Sequence, residues 1–328
     1  MTIIKKINVA PGITWVEIPK AEVYILCGCP ADSVKHLIKN GMIQNIEKDG
    51  HTFQSGPNVI LLSDSAIQGG QFSNLGEFPV LQMLYKQGMI IPNHINNKGL
   101  KPILLGTEKQ VESQLEYIYR GNYGLSSVEE IMATGVDKEM AEEMMKIKLM
   151  FAFGKISSPK DLLETKTIED QKIEIRNGVH IKRDKLNEYT IEYKNEKVSI
   201  SLNLKPGERY ITSYHLGFYK VRREYFAIIH SGEGDGWDIH RPCMSSIVAH
   251  DQKLYLIDAG PNIIETLSAL GISVSSIHGI FHTHCHDDHF SGLTALLQAD
   301  HKIKYYATST VRSSVTKKLS ALLGRSED

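Results

Sequence analysis

Residues 280–292 read IFHTHCHDDHFSG, and the eight positions from His282 to His289 hold four histidines and two aspartates. An apolar stretch, VSSIHGIF, leads in and another, SGLTALLQ, leads out. Few folds tolerate that sequence without a ligand. Protonated imidazoles repel one another, and polar groups buried without partners are costly. A bound cation removes both problems. In an extended segment, side chains two apart share a face. His284 and His286 can therefore aim at one point, and Asp288 continues the spacing. His289 is swung aside as the backbone turns into a helix starting at Phe290, and Gly292 lets that turn pack closely. Imidazole and carboxylate are the donors zinc takes, with zinc–nitrogen distances of about 2.0–2.1 Å; iron or manganese suits the same set. His282 falls before the motif and reads as a bystander. Cys285 and Asp287 alternate away from the metal.

The segment THCHDDHFSG is similar to the signature of the metallo-β-lactamase superfamily, T-H-x-H-x-D-H-x-x-G, at every specified position. The upstream LIDAG, residues 256–260, resembles the strand end that precedes the metal loop in that fold. The resemblance implies an αββα domain and two divalent metal ions, with zinc favoured. His284 and His286 would hold the first ion, and Asp288 and His289 the second. Asp258 would support the loop from beneath, although a strand-end aspartate capping the turn before Gly260 and Pro261 is an equal reading. The implied activity is hydrolysis by a metal-activated hydroxide that Asp288, the catalytic residue, orients. The substrate would carry a phosphodiester or another ester-type bond. A di-iron redox or sensor protein and a non-catalytic scaffold are the alternatives on the same fold.

The resemblance covers only the C-terminal part of the chain. In that fold a further histidine, a bridging aspartate and a last histidine lie beyond the first motif. Downstream of Gly292 this chain offers His301, Asp300 and Asp328. Two ligands per metal remain, so residues 171–328 are expected to be the incomplete front portion of the domain. The 328-residue chain is expected to be a truncated, inactive piece of a longer protein.

The remaining sequence sets limits on partners and place. The formal charge of −1 creates no global field for nucleic acid or anionic membranes, so a small-molecule substrate is expected. Assembly with further copies stays open. No apolar run approaches the roughly 20 residues of a membrane helix, and the start lacks a signal-peptide core. Four cysteines do not make a disulfide framework, and a cytoplasmic location is expected.

Residues 1–170 alternate strand and helix patterns three times, which predicts an α/β domain with parallel pairing. Gly41, Gly88 and Gly121 are placed to close the three helices. Thr107 and Gln110 resemble a capping box. The methionines at 140, 144, 145 and 150 are read as a core face of a helix. After a polar connection, YTIEYKNEKVSISLNL and SSIVAHDQKLYLIDAG are hairpin signals. The loop HSGEGDGWDIHRPC, with Asp235, Asp238 and His240, could line a cleft but reads first as a structural turn.

Overall fold

The computed structural model describes residues 3–222 and 224–327. The chain forms two compact units that interleave along the sequence. The first comprises Met1–Tyr119, Phe153–Ile211 and Ala321–Arg325; the second comprises Arg120–Ala152, Thr212–Ser320 and Ser326–Asp328. The expected single boundary near residue 170 differs from this division. Strands that follow residue 170 complete the core of the first unit, and the helices of 120–152 belong to the second.

The first unit opens with β1 (Lys5–Ala10), β2 (Ile13–Ile18) and β3 (Val23–Cys27), each antiparallel to the one before. Helix α1 (Ser33–Lys39) follows, and Gly41 closes it at φ +77°. A hairpin of β4 (Asn45–Lys48) and β5 (His51–Gln54) precedes β6 (Val59–Leu61). Next come a small hairpin, β7 (Ile67–Gln68) and β8 (Gln71–Phe72), and helix α2 (Glu77–Leu81). Then β9 (Ile103–Gly106) leads into α3 (Glu108–Tyr123). Helix α3 runs through Gly121, so the glycine expected to end it is interior, and Gly124 takes the left-handed conformation. Gln110 turns inward instead of capping α3 and accepts a hydrogen bond from the Asn74 amide.

Helices α4 (Val128–Met132) and α5 (Lys138–Phe151) belong to the second unit. Their small core holds Leu125, Ile131 and Ala141, with Met144 and Met145 against it. Met140 and Met150 instead face solvent, at 54% and 78% exposure, so only half of the expected methionine face is core. Returning to the first unit, α6 (Pro159–Leu162) precedes β10 (Glu164–Thr167). The sheet order is β1-β2-β3-β6-β9-β10, with the pairings from β3 to β10 parallel. A second, antiparallel sheet comprises β11 (Ile173–Arg176), β12 (Val179–Lys185), β13 (Glu188–Tyr193) and β14 (Glu196–Ser201). Its inner residues Ile175, Ile181, Ile191 and Ile200 share one core with Val16, Ile25, Leu61 and Leu105.

The second unit's sheet runs β15 (Phe226–Gly232), β16 (Ser245–His250), β17 (Lys253–Ile257), β18 (Ile277–Phe281) and β19 (Lys304–Tyr306) in spatial order. Asp251 and Gln252, both at positive φ, supply the backbone twist that a tight hairpin between β16 and β17 requires. Helix α7 (Ile263–Ala269) links β17 to β18; the four-residue α8 (Asp287–Phe290), a 3₁₀ stretch and β19 lead to α9 (Ser309–Leu323). One sheet face buries Ile247, Leu256 and Ile280 against Ile263, Leu267 and Leu296. Each such side chain contributes about 1.5–3 kcal/mol by leaving water. That packing fixes the end of β18, where the histidine-rich loop begins.

Candidate metal centre

Strand β18 delivers the loop and Asp258 holds it. The Asp258 backbone is left-handed, at φ +63°, and its N–H donates to the Phe281 carbonyl at 2.9 Å. That bend turns the carboxylate under the loop. Oδ1 accepts the Thr283 N–H at 2.8 Å, and Oδ2 accepts the Thr283 hydroxyl at 2.7 Å. Oδ2 also lies 2.8 Å from His289 Nδ1. Of the two readings of Asp258, these contacts give the supporting one.

The network sets the histidine tautomers. Thr283 has one hydroxyl proton, and Asp258 receives it. His284 Nδ1, 3.0 Å from the same hydroxyl oxygen, must then be the donor. His289 Nδ1 likewise donates to Asp258. Both imidazoles are left with Nε2 as the lone-pair nitrogen, which is how a hydrogen bond at the other ring nitrogen prepares a histidine for metal.

His284, Asp288 and His289 converge: one ligand atom from each lies within 4.8 Å of the others. The His284 and His289 ring centres are 4.0 Å apart. His286, expected to share a metal with His284, stands beside this trio, its ring 5.1 Å away and edge-on to His284. The grouping crosses the expected split of the motif into two pairs. The backbone turns at His286, which precedes α8, so the two-residue extended spacing stops there.

Burial raises the Asp288 carboxyl above its ordinary value, and its Oδ1 is buried with no hydrogen-bond partner among the described residues. An orphaned carboxylate oxygen beside two prepared nitrogens is a donor set that fits a divalent cation. Desolvation pulls His289 down, but the Asp258 hydrogen bond and the charges of Asp288 and Asp258 outweigh it, so the imidazole sits above its usual range. His284 and His286 lie below that range. Desolvation is the first cause for both, followed by the charge of His289 on His284 and of Lys318 on His286.

The backbone around the site is tightly apposed. A Cβ on Gly260 would meet the Asp288 carbonyl at 2.2 Å, and one on Gly292 would meet the Gly260 carbonyl at 2.1 Å. Gly292, expected to let the turn pack closely, is needed here, and so is Gly260.

The bystanders are explained as well. His282 is buried, stacks on Phe290 and contacts the Tyr305 hydroxyl at 3.1 Å; burial pushes it down to about 4. His301 bonds Asp300 and the Ile277 carbonyl, at the far end of β18 from the motif. In the 230–243 loop, Asp235 and Asp238 accept the Trp237 and His240 N–H groups, as local turn-forming aspartates do. The four cysteines are buried and unbridged. No helix among the described residues is long and apolar enough to cross a membrane.

One contributor went unread in the sequence. Lys318 on α9 is fully buried and donates to Asp287 Oδ1 and to the Cys285 carbonyl, both at 2.6 Å. Its ammonium lies 4.6 Å from the Phe290 ring centre. It therefore clamps the first turn of α8 from behind. The only sequence signal is positional: Lys318 falls between Val315 and Leu322 on the buried face of the helix.

Residues 239–320 match the family model of the metallo-beta-lactamase superfamily. This segment contains the THCHDDHFSG stretch. The match spans the trio, Asp258 and Lys318, and ends inside α9. No curated protein matches the chain. Among solved structures, human tRNase Z, short form, is 23% identical over 30% of this chain and 41% of its own, with a TM-score of 0.26. The chain thus spans less than half of that protein.

Proposed function

We propose that this chain carries the metal centre of a hydrolase acting on ester-type bonds of small molecules, phosphodiesters first among them. His284, His286, Asp288 and His289 hold the metal, with two zinc ions the leading content and iron or manganese suiting the same donors. The observation that supports this most is the orphaned Oδ1 of Asp288 beside His284 and His289. A divalent cation bound there supplies Lewis acidity and water acidified to near neutral pH. Asp288 has a second oxygen for the attacking water, and by accepting its hydrogen bond it sets the direction of attack. Asp258 and Thr283 touch no substrate in this reading; they hold the Nδ1–H of both rings so that Nε2 is the nitrogen aimed at the metal. The four buried, unbridged cysteines accord with a cytoplasmic protein.

The test is a side-by-side assay of the 328-residue chain and of the uninterrupted reading frame that encodes it. Each is loaded with zinc, manganese or ferrous iron and offered bis(p-nitrophenyl) phosphate, p-nitrophenyl acetate and a lactone. Catalytic zinc usually has three protein ligands plus water, and four side chains cannot supply three to each of two ions. The 328-residue chain should stay at the free-metal rate, and any product of that frame that supplies further ligands should hydrolyse and lose activity with Asp288→Ala. Stoichiometric iron with a visible absorption band and no hydrolysis in either would replace this reading with a redox centre.

A further inference from the structure

The two units follow the same path. In the first, β1, β2 and β3 are antiparallel neighbours and β6 and β9 add in parallel; in the second, β15, β16 and β17 are the antiparallel neighbours and β18 and β19 add in parallel. The registers agree residue by residue. Ile25 pairs with Val59 and Val59 with Ile103, as Tyr255 pairs with Gly279 and Gly279 with Lys304.

The connecting details agree too. Gly28 N–H donates to Leu61 as Asp258 N–H donates to Phe281, and Leu62 N–H donates to Leu105 as His282 N–H donates to Tyr306. Helices α1 and α7 each follow a non-glycine residue near φ +60°, Asp32 and Asn262, and each closes on a left-handed glycine, Gly41 and Gly271. Met42 N–H caps Leu37 as Ile272 N–H caps Leu267, both at 2.9 Å. Helices α3 and α9 start alike, with Val111 N–H on Thr107 and Arg312 N–H on Thr308. The loops even share Phe-Ser-x-Leu, at 72–75 and 290–293.

This correspondence places Ser63 at Thr283 and Asp64 at His284. We propose that the chain contains one β–α layer twice, and that residues 3–123 are its metal-free copy, in which an Asp64–Arg183 ion pair stands where residues 226–323 present metal ligands. The copy's loop, SDSAIQGGQFSNL, has no histidine, and its extra residues form the β7–β8 hairpin. Asp64 is buried, its side chain 3% exposed, with Arg183 Nε at 2.8 Å. Tyr189 hydroxyl donates to it at 2.6 Å and Asn187 N–H at 2.7 Å. Both carboxylate oxygens are therefore satisfied by the protein, unlike Asp288. The cation of this position is a guanidinium delivered by β12, and the first unit serves as a closed, non-catalytic module.

Hydrogen exchange and metal analysis of the full 328-residue chain test this together. Arg183→Met should speed exchange in residues 59–75 and 179–193 by about tenfold or more, with bound zinc unchanged. If that variant fails to fold, Tyr189→Phe keeps the ion pair and removes one donor; a smaller speeding over the same residues is then expected. His284→Ala with Asp288→Ala should abolish specific zinc binding outright. Zinc retained by that double variant and released by adding Asp64→Asn would make the first unit a metal site and overturn the proposal. Unchanged exchange in both Arg183→Met and Tyr189→Phe would overturn it as well. Failure of hydrolysis would leave it standing, because neither readout is activity.

Discussion

The carboxylate of Asp258 lies 2.8 Å from His289 Nδ1 and holds both the N–H and the hydroxyl of Thr283. One residue that would never touch a metal therefore fixes two that would. Asp258→Asn tests this cleanly, because asparagine tolerates the left-handed backbone and keeps the shape. Its amide can no longer accept from every donor, so a histidine loses its tautomer lock. We expect zinc affinity to fall by about 10–100-fold with the far-ultraviolet circular dichroism unchanged. A chelator competition titration would measure it, and an unaltered affinity would remove Asp258 from the site.

The same pair makes metal uptake pH-dependent. His289 sits above the ordinary imidazole range in the metal-free chain, with Asp258 as its partner. A raised folded-state value means that the His289 contribution to stability is present below the unfolded value, about 6.5, and fades as pH rises through the folded one. Asp258 is held low, burial being outweighed by its donors His289 and Thr283, so its share is lost only as pH falls through that depressed value. Metal must displace the His289 proton. Calorimetric titration of zinc in buffers of different ionisation enthalpy should show proton release that grows as pH falls through the raised value, with weakening affinity. Asp258→Asn should diminish the release.

The histidine-rich loop was legible in the sequence because its imidazoles and carboxylates are contiguous, and the grouping of His284, Asp288 and His289 draws on that one stretch. The strand–helix alternation of the first half was legible for the same reason: β3–α1, β6–α2 and β9–α3 each carry a local pattern. What the sequence hid is long-range. The strands β1 and β2 are short and flank Gly12, so their alternation is weak. The division of units depends on which core each segment joins, and the helices of 120–152 give no local sign of that. The position of His286 outside the trio follows from where the backbone turns, which periodicity alone does not specify. Gln110 fits a capping box by spacing, but a buried Asn74 amide outbids the helix end for it.

Lys318 is a tertiary feature of the same kind, and its removal should be severe. A fully buried ammonium answers Asp287 and a carbonyl, so Lys318→Met takes the ion pair away from a buried carboxylate. Such losses cost about 3–5 kcal/mol. We expect a large drop in thermal midpoint for Lys318→Met, and recovery of most of it when Asp287→Leu is added, because both partners are then apolar. A double variant no better than the single would mean that Lys318 does not act through Asp287.

Alanine replacements along the motif should separate ligands from bystanders. His284→Ala removes a nitrogen from the trio, and His286→Ala removes the neighbouring one; together they should eliminate at least one metal equivalent by mass-spectrometric metal analysis. His282→Ala should behave differently. His282 is buried and stacked on Phe290 at 6.2 Å, held neutral down to about 4, so truncation opens a cavity beside the loop. Truncating a large buried side chain to alanine costs about 2–5 kcal/mol, and the thermal midpoint should fall while the metal content of the folded fraction stays close to the parent's. Asp288→Asn supplies the remaining contrast, since it preserves volume and removes the charge of the orphaned carboxylate: metal should be lost while the midpoint of the metal-free chain holds or rises. Equal metal loss from His282→Ala and from the His284, His286 pair would show that the motif binds through a different set of nitrogens.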